Sequence, residues 1–182
     1  METKKIIVSG FGGQGVMGIG QLLTYAGLSD DKQVSWLPSY GPEMRGGAAN
    51  CSVIISDDPI GAPNISQATD VIVMNEPSLD RFESYVKPGG NLFINSSLIK
   101  KKSSRTDINV HYVPVNDLTI EFGNPKAQNM IMVGAYNAVA KAVSDNALEK
   151  AVSQLYGKKK PEMLATNLKA LNFGAEKIKE LS

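Results

Sequence analysis

The chain has 182 residues, 42% of them hydrophobic and 20% charged, which is enough to build one domain with a real core. Lys and Arg number 19 against 18 Asp and Glu, and a net charge of +1 excludes a strong electrostatic footprint for nucleic acid or an anionic membrane. One cysteine excludes an internal disulfide and cannot by itself ligate an iron–sulfur cluster or a structural zinc ion.

Met1-Glu2-Thr3-Lys4-Lys5 runs into the apolar Ile6-Ile7-Val8 without a long apolar leader. No later run approaches the roughly 18 apolar residues of a membrane span, so a soluble, cytoplasmic protein is expected. Ile6-Ile7-Val8 reads as a buried strand and residues 16–28 as a helix, which makes Ser9-Gly10-Phe11-Gly12-Gly13-Gln14-Gly15 a strand-to-helix turn. Gly10, Gly12 and Gly15 satisfy G-x-G-x-x-G. Glycine suits a turn that needs positive φ or close backbone approach, and the free N–H groups of the following helix suit an anion. The competing explanation is a turn that only lets a helix pack closely on its strand. Gly18 and Gly20, each costing about 1 kcal/mol of helix propensity, point to close packing or ligand approach.

A second strand, Val34-Ser35-Trp36-Leu37, runs out into Pro38-Ser39-Tyr40 with no carboxylate at its tip. A dinucleotide fingerprint needs an acidic residue there to hold ribose hydroxyls, which counts against a nicotinamide-dependent dehydrogenase. Ser39-Tyr40-Gly41-Pro42-Glu43-Met44-Arg45-Gly46-Gly47 follows, a loop sequence with several hydrogen-bonding or ionic side chains. Residues 48–56 alternate as a half-buried strand with Cys51 toward the core, a small inert hydrophobe there. Residues 60–63 read as a short edge segment, and Val71-Ile72-Val73-Met74 as a strand covered on both faces. A helix over 79–86 closed by Lys87-Pro88-Gly89-Gly90, a strand over 91–95, a solvated basic connection over 100–105 and a strand over 109–115 come next. The sole histidine, His111, lies in that last strand and reads as a packing or surface residue.

Helices are expected over 116–122, 128–143 and 148–156, and from Pro161 onward. The second is apolar nearly all round, and its Gly134, Ala135 and Ala138 admit another backbone, from the same core or across a subunit interface. The final helix carries an apolar stripe, Leu164, Leu168, Leu171, Ala175, Ile178 and Leu181, expected to lie along the sheet or a partner. With no repeat or linker, residues 1–182 form one α/β domain, Rossmann-like in three layers, with a mainly parallel or mixed sheet and a helical C-terminal part.

Gly10-Phe11-Gly12-Gly13-Gln14-Gly15-Val16 followed by Ser39-Tyr40-Gly41-Pro42-Glu43-Met44-Arg45-Gly46-Gly47 closely resembles the gamma subunit, or gamma domain, of 2-oxoacid:ferredoxin oxidoreductases. The resemblance continues through Val53-Ile54-Ile55-Ser56, residues 124–134 and Asn167-Leu168-Lys169-Ala170-Leu171 with Gly174. It implies a complex, with ferredoxin or flavodoxin as electron acceptor, that converts a 2-oxoacid to acyl-CoA and CO2. By family likeness the substrate is 2-oxoglutarate or a branched-chain 2-oxoacid. It also implies partners: alpha and beta subunits, and a ferredoxin-like delta subunit in some members. Thiamine diphosphate, magnesium and iron–sulfur clusters then sit on those partners and no cofactor is held by this chain alone, while the gamma domain is associated with CoA.

The residues themselves leave two roles open for Gly10, Gly12, Gly13, Gln14, Gly15, Ser39, Tyr40, Gly41, Pro42, Glu43, Arg45, Gly46 and Gly47: cofactor binding or subunit docking. Arg45 is suited to a bidentate grip on phosphate or carboxylate, Glu43 to orienting it, and Tyr40 to stacking. No catalytic residue and no metal ligand is assigned. A homodimer of the isolated chain is a further expectation, and a free-standing nucleotide- or CoA-binding regulatory module is the alternative reading.

Overall fold

The computed structural model describes residues 2–40, 48–158 and 160–182. The strands are β1 (Lys4–Phe11), β2 (Gln33–Tyr40), β3 (Ala48–Ser56), β4 (Ala68–Val73), β5 (Val86–Asn95) and β6 (Asn109–Val113). The helices are α1 (Val16–Ser29), α2 (Glu76–Phe82), α3 (Val115–Phe122), α4 (Gln128–Ala140), α5 (Asp145–Tyr156) and α6 (Pro161–Leu181). One six-stranded sheet results, in the order β2-β3-β1-β4-β5-β6. β3 is antiparallel to both its neighbours, and the rest of the sheet is parallel. The apolar run of β4 occupies the middle of the sheet and is buried at every position, as its pattern requires.

Side chains of alternate parity separate the two cores. Ile6, Val8, Cys51, Val53, Ile55, Ile72 and Phe93 face α1, α4, α5 and α6. Ile7, Ile54, Val71, Val73, Leu92 and Ile94 face a thinner layer made by α2 and the connections carrying Ile65 and Ile99. Each large side chain so buried contributes about 1.5–3 kcal/mol, so the three layers are held chiefly by this sheet-centred packing. Close packing also accounts for the helical glycines. A Cβ on Gly20 would stand 2.5 Å from Cys51 Sγ, and one on Gly27 would stand 2.6 Å from Val34 Cγ1. Burial pushes the Cys51 thiol up to about 11, so it behaves as the inert hydrophobe expected.

Several boundaries differ from the sequence reading. Residues 60–63 form no strand. The helix expected over 79–86 begins earlier, at Glu76, because Asn75 caps it by accepting from Ser78 N–H at 3.0 Å; a 3-10 turn, Glu83–Tyr85, completes it. Lys87-Pro88-Gly89-Gly90 does not stop a helix but bulges within β5, whose pairing with β4 jumps from Ala68↔Val86 to Asp70↔Asn91. α4 ends at Ala140 rather than at 143: Asn137 exchanges two hydrogen bonds with the Val143 backbone (2.9 and 3.1 Å), turning the chain at Lys141, φ +49°. β2 extends to Tyr40, so Ser39 and Tyr40 belong to a strand rather than a loop. Finally, the stripe of α6 lies along α4, not along the sheet. Gly134 and Gly174 are what lets the two helices meet, as a Cβ on either would overlap the other helix's backbone.

His111 has the packing role expected of it. Its ring stacks on Phe93 at 4.7 Å, and Nε2 lies 3.3 Å from Asn91 Oδ1. Asn91 in turn donates to the fully buried Asp70 at 2.8 Å, which also accepts from Thr69 (2.8 Å) and Tyr136 (3.3 Å) hydroxyls. Burial holds the His111 pKa below its usual value, with the Asp70 charge opposing the shift. The unfolded imidazole therefore takes up a proton more readily than the folded one, and this contribution to stability is present above about pH 6.5 and lost as pH falls. Urea midpoints measured between about pH 7.5 and 5.5 are expected to fall with pH, and His111→Asn should flatten that slope. An unchanged slope in the variant would assign the effect elsewhere.

Candidate functional site

The glycine turn lies at the C-terminal edge of the parallel strands. The chain leaves β1 at Phe11, and Gln14 N–H returns to the Phe11 carbonyl at 3.2 Å. Gly13 (φ +89°) and Gly15 (φ +77°) are left-handed, a conformation that excludes most side chains; at Gly13 there is open space where a Cβ would be. Gly10, by contrast, is required by contact, since a Cβ there would lie 2.6 Å from Gln14 Oε1 and 2.8 Å from Met74 Cβ. Gly12 is exposed beside Gly13.

Gln14 is the brace of the turn. Its Oε1 accepts from Phe11 N–H at 2.6 Å and its Nε2 donates to the Met74 carbonyl at 3.1 Å, with the residue 9% exposed. The same carbonyl receives Asn95 Nδ2 at 3.4 Å, and Asn95 reaches on to Asn116 Oδ1 at 2.8 Å and Val115 N–H at 3.2 Å. A row of carboxamides thus ties the ends of β1, β4, β5 and β6 together. Asn75 and Asn95 were not singled out from sequence. The available signal was an asparagine directly following each buried apolar run, Val71-Ile72-Val73-Met74 and Leu92-Phe93-Ile94.

The edge has the character of an anion or carbonyl acceptor site. α1 starts at Gly15 with no side-chain cap and no acidic residue in its first turn, which leaves its leading N–H groups and the positive end of its dipole uncompensated by side chains among the described residues. Asn75, 3% exposed, caps α2 with its oxygen while its Nδ2 has no partner among the described residues. Asn129, in the first turn of α4, closes over α1: a Cβ on Gly15 would be 2.7 Å from Asn129 Cβ. β1 and β4 sit side by side, yet their following helices lie in opposite layers, which makes this the switch point where open α/β sheets take ligands. Two hydroxyls buried near it, those of Ser9 and Ser78, pair with each other at 2.7 Å. Among the described residues neither hydroxyl is hydrogen-bonded to a histidine or a carboxylate.

The described flanks of the second motif meet the same edge. Phe11 pairs with Ala48 and Tyr40 with Ala49, so both flanks of residues 41–47 emerge beside the glycine turn. Ser39 stands opposite Asn50, one residue before Tyr40. Gly41, Pro42, Glu43, Arg45, Gly46 and Gly47 lie outside the described residues. The antiparallel β3 separates β1 from β2, so the tip of β2 is displaced from the position from which a dinucleotide-binding acid reaches the ribose. Arg105, from the basic connection, is a structural anchor, donating to the carbonyls of Glu83 (3.0 Å) and Val86 (2.6 Å) and pairing with Asp107.

The fold is that of a Rossmann-like α/β domain with a glycine turn at its switch point. Over residues 5–177 the sequence matches the family described as Pyruvate ferredoxin/flavodoxin oxidoreductase, and the chain belongs to that family. It is 33% identical to the 2-oxoglutarate synthase subunit KorC of Methanocaldococcus jannaschii, over 98% of this chain and 95% of that one. It is 30% identical to the ketoisovalerate oxidoreductase subunit VorA of Methanothermobacter thermautotrophicus over 97% of this chain, which spans 36% of the VorA length. Among solved structures, the gamma subunit of the keto/oxoacid ferredoxin oxidoreductase of Geobacter sulfurreducens superposes with a TM-score of 0.83 at 30% identity, covering 97% of this chain and 99% of that one.

Proposed function

We propose that this chain is the gamma subunit of a 2-oxoacid:ferredoxin oxidoreductase complex, acting with alpha and beta subunits and, where present, a ferredoxin-like delta subunit. The complex oxidatively decarboxylates 2-oxoglutarate or a branched-chain 2-oxoacid. The acyl group goes to CoA, carbon leaves as CO2, and the electron pair passes to ferredoxin or flavodoxin. The observation that carries this reading is the near full-length match to KorC, a protein of gamma-subunit size. The iron–sulfur clusters belong to the partners, since a chain with a single, fully buried cysteine has no thiolate set for a cluster, and thiamine diphosphate and magnesium are assigned to the partners by family likeness. The complex resides in the cytoplasm.

Within it, the residues of this chain bind and orient. The uncapped start of α1 and the Asn75 Nδ2, which has no partner among the described residues, fit a phosphate or carbonyl of CoA, and equally a docking backbone. Gly10, Gly12, Gly13 and Gly15 hold the turn open, and Gln14 holds it in place. Ser39, Tyr40, Gly41, Pro42, Glu43, Arg45, Gly46 and Gly47 form the adjoining part of the site, with Arg45 gripping a phosphate or a partner carboxylate and Glu43 orienting it.

Tagging the chain in its host and purifying it anaerobically tests the assignment. Co-purification of larger subunits, thiamine diphosphate and a brown iron–sulfur chromophore is expected. A colourless lone protein would replace it with the free-standing CoA- or nucleotide-binding module. In the recovered complex, Arg45→Ala is expected to raise the KM for CoA about tenfold with kcat little changed, the loss of one charge-assisted contact. Unchanged kinetics together with dissociation of the subunits would assign Arg45 to docking instead.

A further inference from the structure

β6 closes the sheet on one side, and among the described residues no strand lies beyond it. Its Val113 carbonyl accepts from Ser96 N–H at 3.0 Å, so Val113 turns its backbone groups toward β5. His111 and Asn109 share that parity. Strand alternation then directs the N–H and C=O groups of Val110 and Tyr112 outward, and among the described residues nothing bonds them. They border a groove of about 530 Å³ that is also lined by Lys102, His111, Ile178 and Leu181.

The two walls of this groove differ. On the helical side, the end of α6 contributes Ile178 and the exposed Leu181, beside His111. On the other side, Lys102 lies with its ammonium 4.1 Å from the centre of the Tyr112 ring. Lys100, nearby, donates to the Ser96 carbonyl at 3.1 Å. Among the described residues neither ammonium has a carboxylate partner.

We propose that the open edge of β6 receives an extended segment of a partner protein in which apolar residues alternate with acidic ones. An added strand bonds the outward groups of Val110 and Tyr112, and its period of two sends apolar side chains toward Ile178 and Leu181 while carboxylates face Lys102 and Lys100. A second copy of this chain is the poorer occupant. Antiparallel pairing of two β6 edges about His111 would set both Lys102 ammoniums on the same face, where like charges repel. The surface lies along a sheet edge, away from the glycine turn, and is independent of the assignment of the chain as a gamma subunit.

The test uses the full chain, labelled with nitrogen-15 and titrated with a blocked peptide of alternating Val and Glu. Amide exchange at Val110 and Tyr112 is expected to slow by about tenfold or more at saturation. A peptide of alternating Val and Lys is expected to produce no slowing. Lys102→Glu, a surface change, is expected to weaken the Val-Glu peptide by about tenfold. Any of four results overturns the proposal: no protection at millimolar Val-Glu peptide, equal protection by both peptides, protection at β2 instead of β6, or protection that rises with protein concentration in the absence of peptide. The last would assign the edge to a second copy.

Discussion

Gly134→Ala and Gly174→Ala are each expected to lower stability by about 3 kcal/mol, although alanine is the better helix former by about 1 kcal/mol. The two effects have opposite signs, and geometry decides between them. A Cβ on Gly134 would lie 1.9 Å from the Leu171 carbonyl oxygen, and one on Gly174 would lie 2.0 Å from that of Ile131. Both obstacles are backbone atoms of the facing helix, so no rotamer change relieves them and α4 and α6 have to separate. That separation would loosen Met130, Ile131, Leu171 and Ile178, all buried in the core on the helical side of the sheet. Urea unfolding of each variant measures the loss. Gly61→Ala, where nothing lies within 4 Å of the added methyl, is the control and should stay within about 0.5 kcal/mol of the parent. If either core variant matched the parent, the helices would not cross as closely as described.

Gln14→Glu is expected to lower stability by about 3 kcal/mol at neutral pH and to lower the activity of the assembled complex at least about tenfold. The oxygen that accepts from Phe11 N–H survives the change. The nitrogen that donates to the Met74 carbonyl becomes a second carboxylate oxygen about 3 Å from that carbonyl, in a site 9% exposed. Protonation relieves the conflict, because a neutral carboxyl can donate to Met74. The introduced carboxyl therefore has a pKa in the folded variant that is raised above its unfolded value, near 4.3, so the penalty should fade as pH is lowered toward and through the acid range. A melting series against pH, parent beside variant, reads this directly. A penalty independent of pH would show that the carboxamide does not bridge the two strands.

Much of the architecture was legible before any coordinates. The run Val71-Ile72-Val73-Met74 identifies a strand buried on both faces, and the alternation through Cys51 and Val53 identifies the extent of β3, although only its first half is half-buried, because the second layer covers Ile54 and Ser56 as well. Lys87-Pro88-Gly89-Gly90 was misleading for a definite reason. Pro and Gly mark a chain irregularity without saying whether it lies between elements or inside one, and here β5 absorbs it as a bulge. The end of α4 was missed because the signal for it is a tertiary one, the Asn137 carboxamide clasping the Val143 backbone.

The candidate site divides in the same way. That the turn needs glycines for positive φ or close approach follows from the sequence, but that Gly13 and Gly15 are the left-handed ones while Gly10 is fixed by contact is decided by the structure. That Gln14 faces inward as a brace rather than outward as a ligand group was not readable, because one carboxamide serves either role and only its neighbours choose.

By itself, the sequence determined the α/β class, the buried strands, the strand–turn–helix at the glycine motif and the family, because periodicity, steric tolerance and motif identity are local properties of the chain. The tertiary structure alone decided the reversed β3 between β1 and β2, the crossing of α4 on α6 at paired glycines, the carboxamide row behind the turn and the open β6 edge. Each of these depends on which surfaces meet across long sequence separations, where many pairings satisfy the same pattern and packing selects one.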